Sequence, residues 1–204
     1  MEPPGTRGAG DGPVVNIVGD LVALGPHRRD LLPLYQRWMN DLGALRTLSS
    51  AAPRPVTAEQ QAAWYDAGPA ADEVRFTIYE RATRRPVGTT ELFGVDHRNR
   101  AAGWGVLIGE PDCRGKGFGT ETARLMLDYA FTALGLHSVL LTCAAYNLAG
   151  QRAYAKAGFR EVGRRRECRR LGDRLWDEVD MDCLAPEFSS PVLGRVLVPD
   201  DPGP

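Results

Sequence analysis

Residues 114–119 read Arg-Gly-Lys-Gly-Phe-Gly and lie directly before a helical pattern of apolar residues over 120–134. Three glycines within five residues allow successive backbone N–H groups to point in one direction, and the start of the following helix adds partial positive charge. Arg114 and Lys116 contribute full positive charges, and Thr120 contributes a hydroxyl in the first turn. The loop therefore has the features of a diphosphate-binding site.

Two common phosphate-binding loops do not match this spacing. A P-loop ends in Gly-Lys followed by Ser or Thr, whereas Lys116 is followed by Gly117. A dinucleotide-binding loop has the order G-x-G-x-x-G after the first strand of a parallel sheet, whereas this loop has G-x-G-x-G after the fourth predicted strand. On these six residues alone, an ordinary glycine-rich turn into a helix explains the pattern equally well.

The chain on either side predicts a single mixed α/β domain over residues 14–185, of the α+β kind. Apolar spacing of two predicts strands, spacing of three and four predicts helices, and turn residues separate them. Thr57 with Gln60 is typical of a capping box, and Gly158 of a helix C-terminus. In chain order the predicted elements are strand 16–24, helix 27–39, helix 57–65, strands 74–80, 86–95 and 101–109, helix 120–134, strand 138–145, helix 147–157, and strands 159–170 and 174–184.

The two ends of the chain differ from this domain in composition. Residues 1–13 and 186–204 are rich in Gly and Pro, and we expect both tails to be disordered. Within the second tail, residues 191–198 form a short apolar run that could add an edge strand or a subunit contact, although a loose tail is an equal alternative. A homodimer is therefore left open.

Charge and hydropathy exclude several classes of partner. The formal net charge is −1, so no global positive field indicates direct binding to nucleic acid. No apolar run approaches the ~20 residues that cross a bilayer, and residues 1–13 lack the apolar core of a signal peptide. We therefore expect no membrane partner and a cytoplasmic location. The four cysteines share no CxxC spacing, which favours free thiols over a metal site or disulfide framework.

Two ordered motifs carry a family resemblance. Arg114, Gly117 and Gly119 match the pattern [Gln/Arg]-x-x-Gly-x-[Gly/Ala], which continues as Gly-Thr-Glu-Thr-Ala over 119–123. The second motif, an Asn followed seven residues later by Tyr and then Lys-x-Gly-Phe, is met by Asn147, Tyr154, Lys156, Gly158 and Phe159. On these motifs the chain resembles the GNAT superfamily of acyl-CoA-dependent N-acetyltransferases over about residues 16–185. The opening residues 37–41 and the Arg-rich end resemble the branch that includes ribosomal-protein alanine acetyltransferases.

The resemblance implies a fold and a cofactor site. The sheet would be mixed, mostly antiparallel, flanked by helices, and splayed between strands 101–109 and 138–145. The pantetheine arm of acetyl-CoA would lie in that gap, with no metal involved. The residues implied to bind the cofactor are Val106, Leu107 and Ile108 through their backbone, the loop residues Arg114, Gly115, Lys116, Gly117, Phe118, Gly119 and Thr120, and also Asn147 and Tyr154.

The resemblance also implies the catalytic groups. Tyr154 would protonate the departing thiolate, although its ring could instead only pack the short helix against the sheet. Glu91 is the predicted base for the attacking amine, with a solvated strand carboxylate as the alternative. Asp96 and His97 follow in a turn and are more simply turn residues. Many relatives carry Glu where this chain has Gly103, so a base at that position is absent.

The sequence leaves two classes of acceptor open. The acceptor is a primary amine, either of a small molecule or of a protein or peptide N-terminus, and Tyr146 could face it. A non-catalytic acyl-CoA-binding module and transfer of a longer acyl group are the alternatives. A dense basic cluster in the last two strands is a solvated face, or else it binds an acidic acceptor, the adenosine 3′-phosphate or RNA near a protein substrate. Its members are Arg160, Arg164, Arg165, Arg166, Arg169, Arg170 and Arg174.

Overall fold

The computed structural model describes residues 12–48 and 54–199, so nearly all of the predicted tail 1–13 lies outside the described residues. The helices are α1 (Leu32–Met39), α2 (Leu42–Leu45), α3 (Ala58–Asp66), α4 (Phe118–Asp128) and α5 (Leu148–Ala157). The strands are β1 (Ile17–Val18), β2 (Val22–Gly25), β3 (Val74–Glu80), β4 (Pro86–Asp96), β5 (Ala101–Ile108), β6 (Ser138–Ala144), β7 (Arg160–Leu171) and β8 (Arg174–Leu184).

All eight strands belong to one sheet, in the order β1-β2-β3-β4-β5-β6-β8-β7. Every neighbouring pair is antiparallel except β5 and β6, which run parallel. The predicted class, a mixed and mostly antiparallel sheet flanked by helices, is confirmed.

The sheet opens between its two central strands. β5 pairs with β6 only where Ala101, Ala102 and Gly103 face Ser138, Val139 and Leu140. Beyond Gly103, β5 stays bound to β4 as far as Ile108, whereas β6 follows β8 to Ala144. The edge of β5 over residues 104–108 therefore has no strand beside it in the described part of the chain.

The helices bury the sheet unequally. α4 packs against β2, β4, β5 and α5, and its buried side chains, such as Leu125 and Leu127, join the main core. α1 packs against β4 and α3, and its Tyr35 and Trp38 form a second, smaller cluster with Leu107. Because neighbouring strand residues face opposite sides, Leu107 belongs to the small cluster while Val106 packs on the main core.

The first predicted strand, 16–24, is wrong as a single element, because it is a hairpin of β1 and β2. The turn between them is held by the Glu121 carboxylate of α4, which accepts hydrogen bonds from the backbone N–H groups of Asp20, Leu21 and Val22 at 2.6 to 2.7 Å. This contact joins residues about 100 positions apart. No local pattern could show it.

Helix boundaries differ in three places. The predicted helix 27–39 begins only at Leu32, after a 3-10 turn, and α2, capped by Asp41, was not predicted. The helix predicted over 120–134 begins two residues earlier at Phe118, and its last turn, Tyr129–Ala133, is a π-helix. The capping box of α3 is present as predicted.

The expectation of a loose tail after residue 185 is wrong for the part that is described. Asp128, fully buried at the end of α4, accepts hydrogen bonds from the backbone N–H groups of Val192 and Leu193 at 3.0 and 2.8 Å. Leu193 is buried, and Phe188 packs its ring on Phe131. The tail thus covers the π-helical turn and adds no strand, and residues 200–204 lie outside the described residues.

Within residues 12–48 and 54–199, no helix is both long and apolar enough to cross a bilayer. The cytoplasmic location and the homodimer stay predictions.

Candidate active site

The glycine-rich loop forms an open helix entry. Gly115 and Gly117 have φ of 75° and 89°, the left-handed region that favours glycine, and α4 starts at Phe118 immediately after them. The N-cap residue Gly117 has no side chain to occupy the first-turn N–H groups, which an α-helix leaves without intrahelical partners. A Cβ built at Gly115 would meet nothing within 4 Å, so the loop backbone is accessible. This geometry fits the diphosphate of acetyl-CoA.

Arg114 is engaged in supporting that loop. Its Nε donates to the Ile108 carbonyl at 3.0 Å, and a terminal nitrogen donates to the Gly109 carbonyl and to the Asp41 carboxylate, both at 3.0 Å. These bonds tie the loop to the end of β5 and to the N-terminus of α2. Lys116, exposed and with no ion pair in the described residues, is then the freer cation of the loop.

Asn147 caps α5 as predicted, because its Oδ1 accepts a hydrogen bond from the Gly150 N–H at 3.0 Å. Gln151 from the same helix donates to the carbonyls of Ala144 and Ala145, where β6 ends. α5 is thereby fixed to the β6 side of the gap. A contact between Asn147 and coenzyme A stays a prediction.

Tyr154 lies on α5 beside the gap. Its ring stands edge-on to Trp104 and also contacts Phe159. Burial, and secondarily the charge that the Cys143 thiol can carry, raise the pKa of Tyr154 above its ordinary value, so the phenol keeps its proton at neutral pH. Its hydroxyl has no hydrogen-bond partner among residues 12–48 and 54–199, and the residue lines a cavity. The ring therefore packs between the helix and the sheet, which was the alternative role for Tyr154, and the hydroxyl is still available for the reaction.

Glu91 reaches the same cavity from the other side. It lies on β4, opposite Arg75 of β3 and Gly105 of β5, and a Cβ built at Gly105 would lie 3.6 Å from its side chain. Burial raises the pKa of Glu91, the positive charge of Arg75 opposes that rise, and the negative charge of Glu73 adds to it. Glu91 is thus a partly buried carboxylate and not a fully solvated one, and its role as the base stays a prediction.

The turn candidates have another role. The Asp96 carboxylate accepts hydrogen bonds from the backbone N–H and the side-chain amide of Asn99, at 2.9 and 2.6 Å, and so closes the β4–β5 turn. Neither Asp96 nor His97 lines the cavity.

The cavity has a volume of about 370 Å³ and continues the gap between β5 and β6 towards α1 and α3. Its floor comes from β4, β5 and β6, and its walls come from α1, α3, α5 and the segment that follows α2. Its aromatic and titratable lining residues are His27, Tyr35, Trp38, Trp64, Glu91, Phe93, Trp104 and Tyr154.

Comparison with known proteins agrees with this geometry. The Acetyltransferase (GNAT) domain model matches residues 21–160. The human alpha/beta-tubulin-N-acetyltransferase 9 is 32% identical over 162 residues, covering 72% of this chain and 75% of the relative. The chain belongs to the GNAT family of acetyltransferases. The predicted family, enzyme class and use of acetyl-CoA are thereby confirmed, while the ribosomal-protein branch stays a prediction.

Two further GNAT relatives act on polyamines by name. The spermidine N(1)-acetyltransferase of Vibrio cholerae is 35% identical over 91 residues, so the match spans 45% of this chain and about half, 51%, of that relative. A spermidine N-acetyltransferase from the same organism, solved in complex with CoA and spermine, has a TM-score of 0.75 and 25% identity, and covers 82% of this chain and 97% of that one.

Sequence reasoning missed the aromatic lining of this GNAT cavity. Tyr35 and Trp38 carry a helical spacing that also fits plain core packing, and Trp64 lies on a helix whose sequence showed no function. Phe93 places its ring over Gly103, where a built Cβ would overlap the ring. The absence of a side chain at Gly103 therefore makes room for the aromatic ring of Phe93.

Two other predicted features lie outside the cavity. The Tyr146 hydroxyl donates to the Arg46 carbonyl, so this residue braces the segment after α2 and does not line the cavity. In the basic cluster, Arg165 and Arg169 pair with the buried Glu178, and Arg174 covers the ring of Trp176. These contacts within the hairpin agree with the interpretation of a solvated face.

Proposed function

We propose that the protein transfers the acetyl group of acetyl-CoA directly to a primary amine held in the 370 Å³ cavity. One observation carries this proposal: Glu91 and Tyr154, which lie on opposite sides of the sheet gap, line the same cavity at the open edge of β5.

Three groups of the chain would position the cofactor. The N–H groups at the start of α4 would bind the diphosphate, and the backbone of Val106, Leu107 and Ile108 would pair with the pantetheine arm as an added strand does. Acetyl-CoA, when bound, supplies the thioester. A backbone N–H of the same β5 edge would donate to the thioester carbonyl oxygen and stabilise the charge that develops there.

Glu91 would make the amine nucleophilic. An aliphatic ammonium has a pKa of about 10, so a base must take its proton at neutral pH, directly or through a water. The raised pKa of Glu91 makes its carboxylate a stronger base, which favours removal of the ammonium proton. The carbon–nitrogen bond then forms at the thioester carbonyl as the carbon–sulfur bond breaks.

Tyr154 would complete the transfer by donating its hydroxyl proton to the departing thiolate. A phenol whose pKa is raised by burial stays protonated until that moment. Return of the proton taken by Glu91 through solvent would restore both groups.

Two acceptor classes remain as candidates. The cavity lies under α1 and α3, which supports a small amine, whereas similarity to the tubulin acetyltransferase supports a protein amine. A longer acyl group and a non-catalytic binding module are the further alternatives.

Thiol release from acetyl-CoA with a panel of small amines and N-terminal peptides tests the proposal. We expect release that depends on the amine and is lost in the Glu91→Gln/Tyr154→Phe double variant, which keeps the shape of both side chains. Binding of acetyl-CoA without release for any amine would instead support the binding module.

A further inference from the structure

Aromatic side chains form much of the cavity wall, beside polar side chains, which are those of Thr47, Gln60, Gln61, Thr89, Thr90, Glu91 and Thr142. The indole N–H of Trp38 donates to the Glu110 carboxylate, and that of Trp104 donates to the Thr90 hydroxyl, both at 2.9 Å. The hydroxyl of Tyr35 is hydrogen-bonded to Thr77 at 2.6 Å. Because their polar groups are already hydrogen-bonded within the protein, these three residues offer an acceptor mainly the faces and edges of their rings.

The cavity also carries little negative charge. Glu91 is the one carboxylate among the described residues that line it. His27, which lines the cavity next to Trp64, is uncharged at neutral pH because burial lowers its pKa to about 4. Among the described lining residues, one ammonium therefore finds a counter-charge, and a second finds none.

Aromatic rings could in principle replace carboxylates as partners for ammonium groups. Trp64 is not free for that role, because the guanidinium of Arg75 already lies over its ring at 4.3 Å. A second cation brought to this ring would meet the like charge of Arg75. This arrangement further disfavours acceptors with several positive charges.

We infer that the acceptor is a small primary amine with a single positive charge and an aromatic body, such as an arylalkylamine. The inference rests on the proposed function and names its substrate class. The amine lies towards Glu91, and the aromatic body packs among Trp38, Trp64 and Phe93. A polyamine, despite the similarity to spermidine acetyltransferases, would bury an ammonium without a counter-charge.

The first experiment compares matched amines by thiol release from acetyl-CoA. n-Pentylamine and 1,5-diaminopentane have the same length and differ by one ammonium, and 2-phenylethylamine adds a ring. We expect kcat/KM to be at least ~10-fold higher for the monoamine than for the diamine, and highest for 2-phenylethylamine. A preference for the diamine, spermidine or an N-terminal peptide overturns the inference and leaves the proposed function standing.

The second experiment measures binding without turnover. Three of the four tryptophans, Trp38, Trp64 and Trp104, line the cavity, so intrinsic fluorescence of the protein with CoA reports amine binding. Saturable quenching by 2-phenylethylamine at concentrations where spermidine has no effect supports the inference, and the reverse order overturns it. If no amine releases thiol, the proposed function fails, and this titration still decides the class of amine.

Two variants of α3 test where the aromatic ring of the acceptor binds. Trp64→Ala should lower kcat/KM for 2-phenylethylamine by ~10-fold or more and change that for n-pentylamine less. Tyr65→Ala removes the neighbouring ring on α3, which does not line the cavity, and should leave both values unchanged. Equal losses for both amines in Trp64→Ala would contradict the assigned position.

Discussion

The ring of Tyr154 stands edge-on to Trp104, with centroids 5.4 Å apart and planes at 88°. Trp104 is itself fixed, since its indole N–H is bonded to Thr90 and its ring stacks on Phe159. These contacts hold the ring of Tyr154 beside the gap between β5 and β6. Packing and catalysis are compatible roles for this residue.

Replacing Tyr154 by Phe separates those roles, because the ring contact remains and only the hydroxyl is lost. If the hydroxyl protonates the thiolate, kcat should fall by ~10²-fold or more while acetyl-CoA affinity stays nearly unchanged. Steady-state kinetics and calorimetric titration measure the two quantities.

Tyr129→Phe is the matched control for this change. Tyr129 also packs edge-on against a core ring, that of Phe76, and lies outside the cavity. Its variant should keep the wild-type kcat. Full turnover in Tyr154→Phe would return Tyr154 to packing alone.

The sequence predicted those parts of the site that depend on local pattern. Gly117 and Asn147 each act within one loop or one cap, and both lie where spacing indicated. The hairpin held by Glu121 and the tail held by Asp128 depend on contacts between residues distant in the chain. Such contacts leave no periodicity, because a single carboxylate satisfies backbone groups far away in the chain.

The same difference between local patterns and contacts of distant residues explains which acceptor-side residues could be predicted. Glu91 was proposed as the base from the family resemblance, whereas its partial burial depends on how α1 and α3 cover the sheet. The aromatic wall could not be predicted, since Trp38 and Trp64 come together only after those helices pack. A pattern of apolar spacing shows that a residue is buried and does not show whether it faces a cavity.

Gly117→Val should weaken acetyl-CoA binding by at least ~10-fold, because Gly117 has φ of 89° and a Cβ would stand at the entry to α4, 3.2 Å from Leu21. Calorimetric titration measures the change. Gly172→Val introduces a similar strain at φ of 62° in the distant β7–β8 turn and should leave binding intact. Wild-type affinity in a folded Gly117→Val protein would exclude the loop as the diphosphate site.

His27 should make the fold sensitive to mild acid. Its pKa is lowered from 6.5 to about 4 in the folded protein, chiefly by burial. Between these values the unfolded chain binds a proton that the native state does not, so the free energy of unfolding falls as pH drops through this window. The loss is at most about 3 kcal/mol and levels off below the folded pKa.

Chemical denaturation across that window tests the effect. His27→Gln should show a weaker fall in unfolding free energy than wild type, because the side chain no longer titrates. His97→Gln, at an exposed turn, should retain the wild-type slope. Parallel slopes for wild type and His27→Gln would show that other groups cause the acid sensitivity.

Glu91 should set the acidic limb of the activity profile. As pH rises through the raised pKa of Glu91, the carboxylate forms and kcat/KM increases. Glu91→Gln should abolish this limb and leave a simple dependence on the fraction of free amine. A mutant that keeps the wild-type profile would assign proton removal to water or to the backbone.

Glu73→Gln is a control variant that distinguishes titration of Glu91 from a purely structural role of Glu91. Glu73 forms an ion pair with Arg75, and both charges act on Glu91. Removing the Glu73 charge takes away a repulsion that raises the pKa of Glu91 and leaves Arg75 to lower it further. The acidic limb should therefore move to lower pH while the maximum of kcat/KM stays close to wild type. A limb that moves upward, or that does not move, would mean that another group titrates in the wild-type profile.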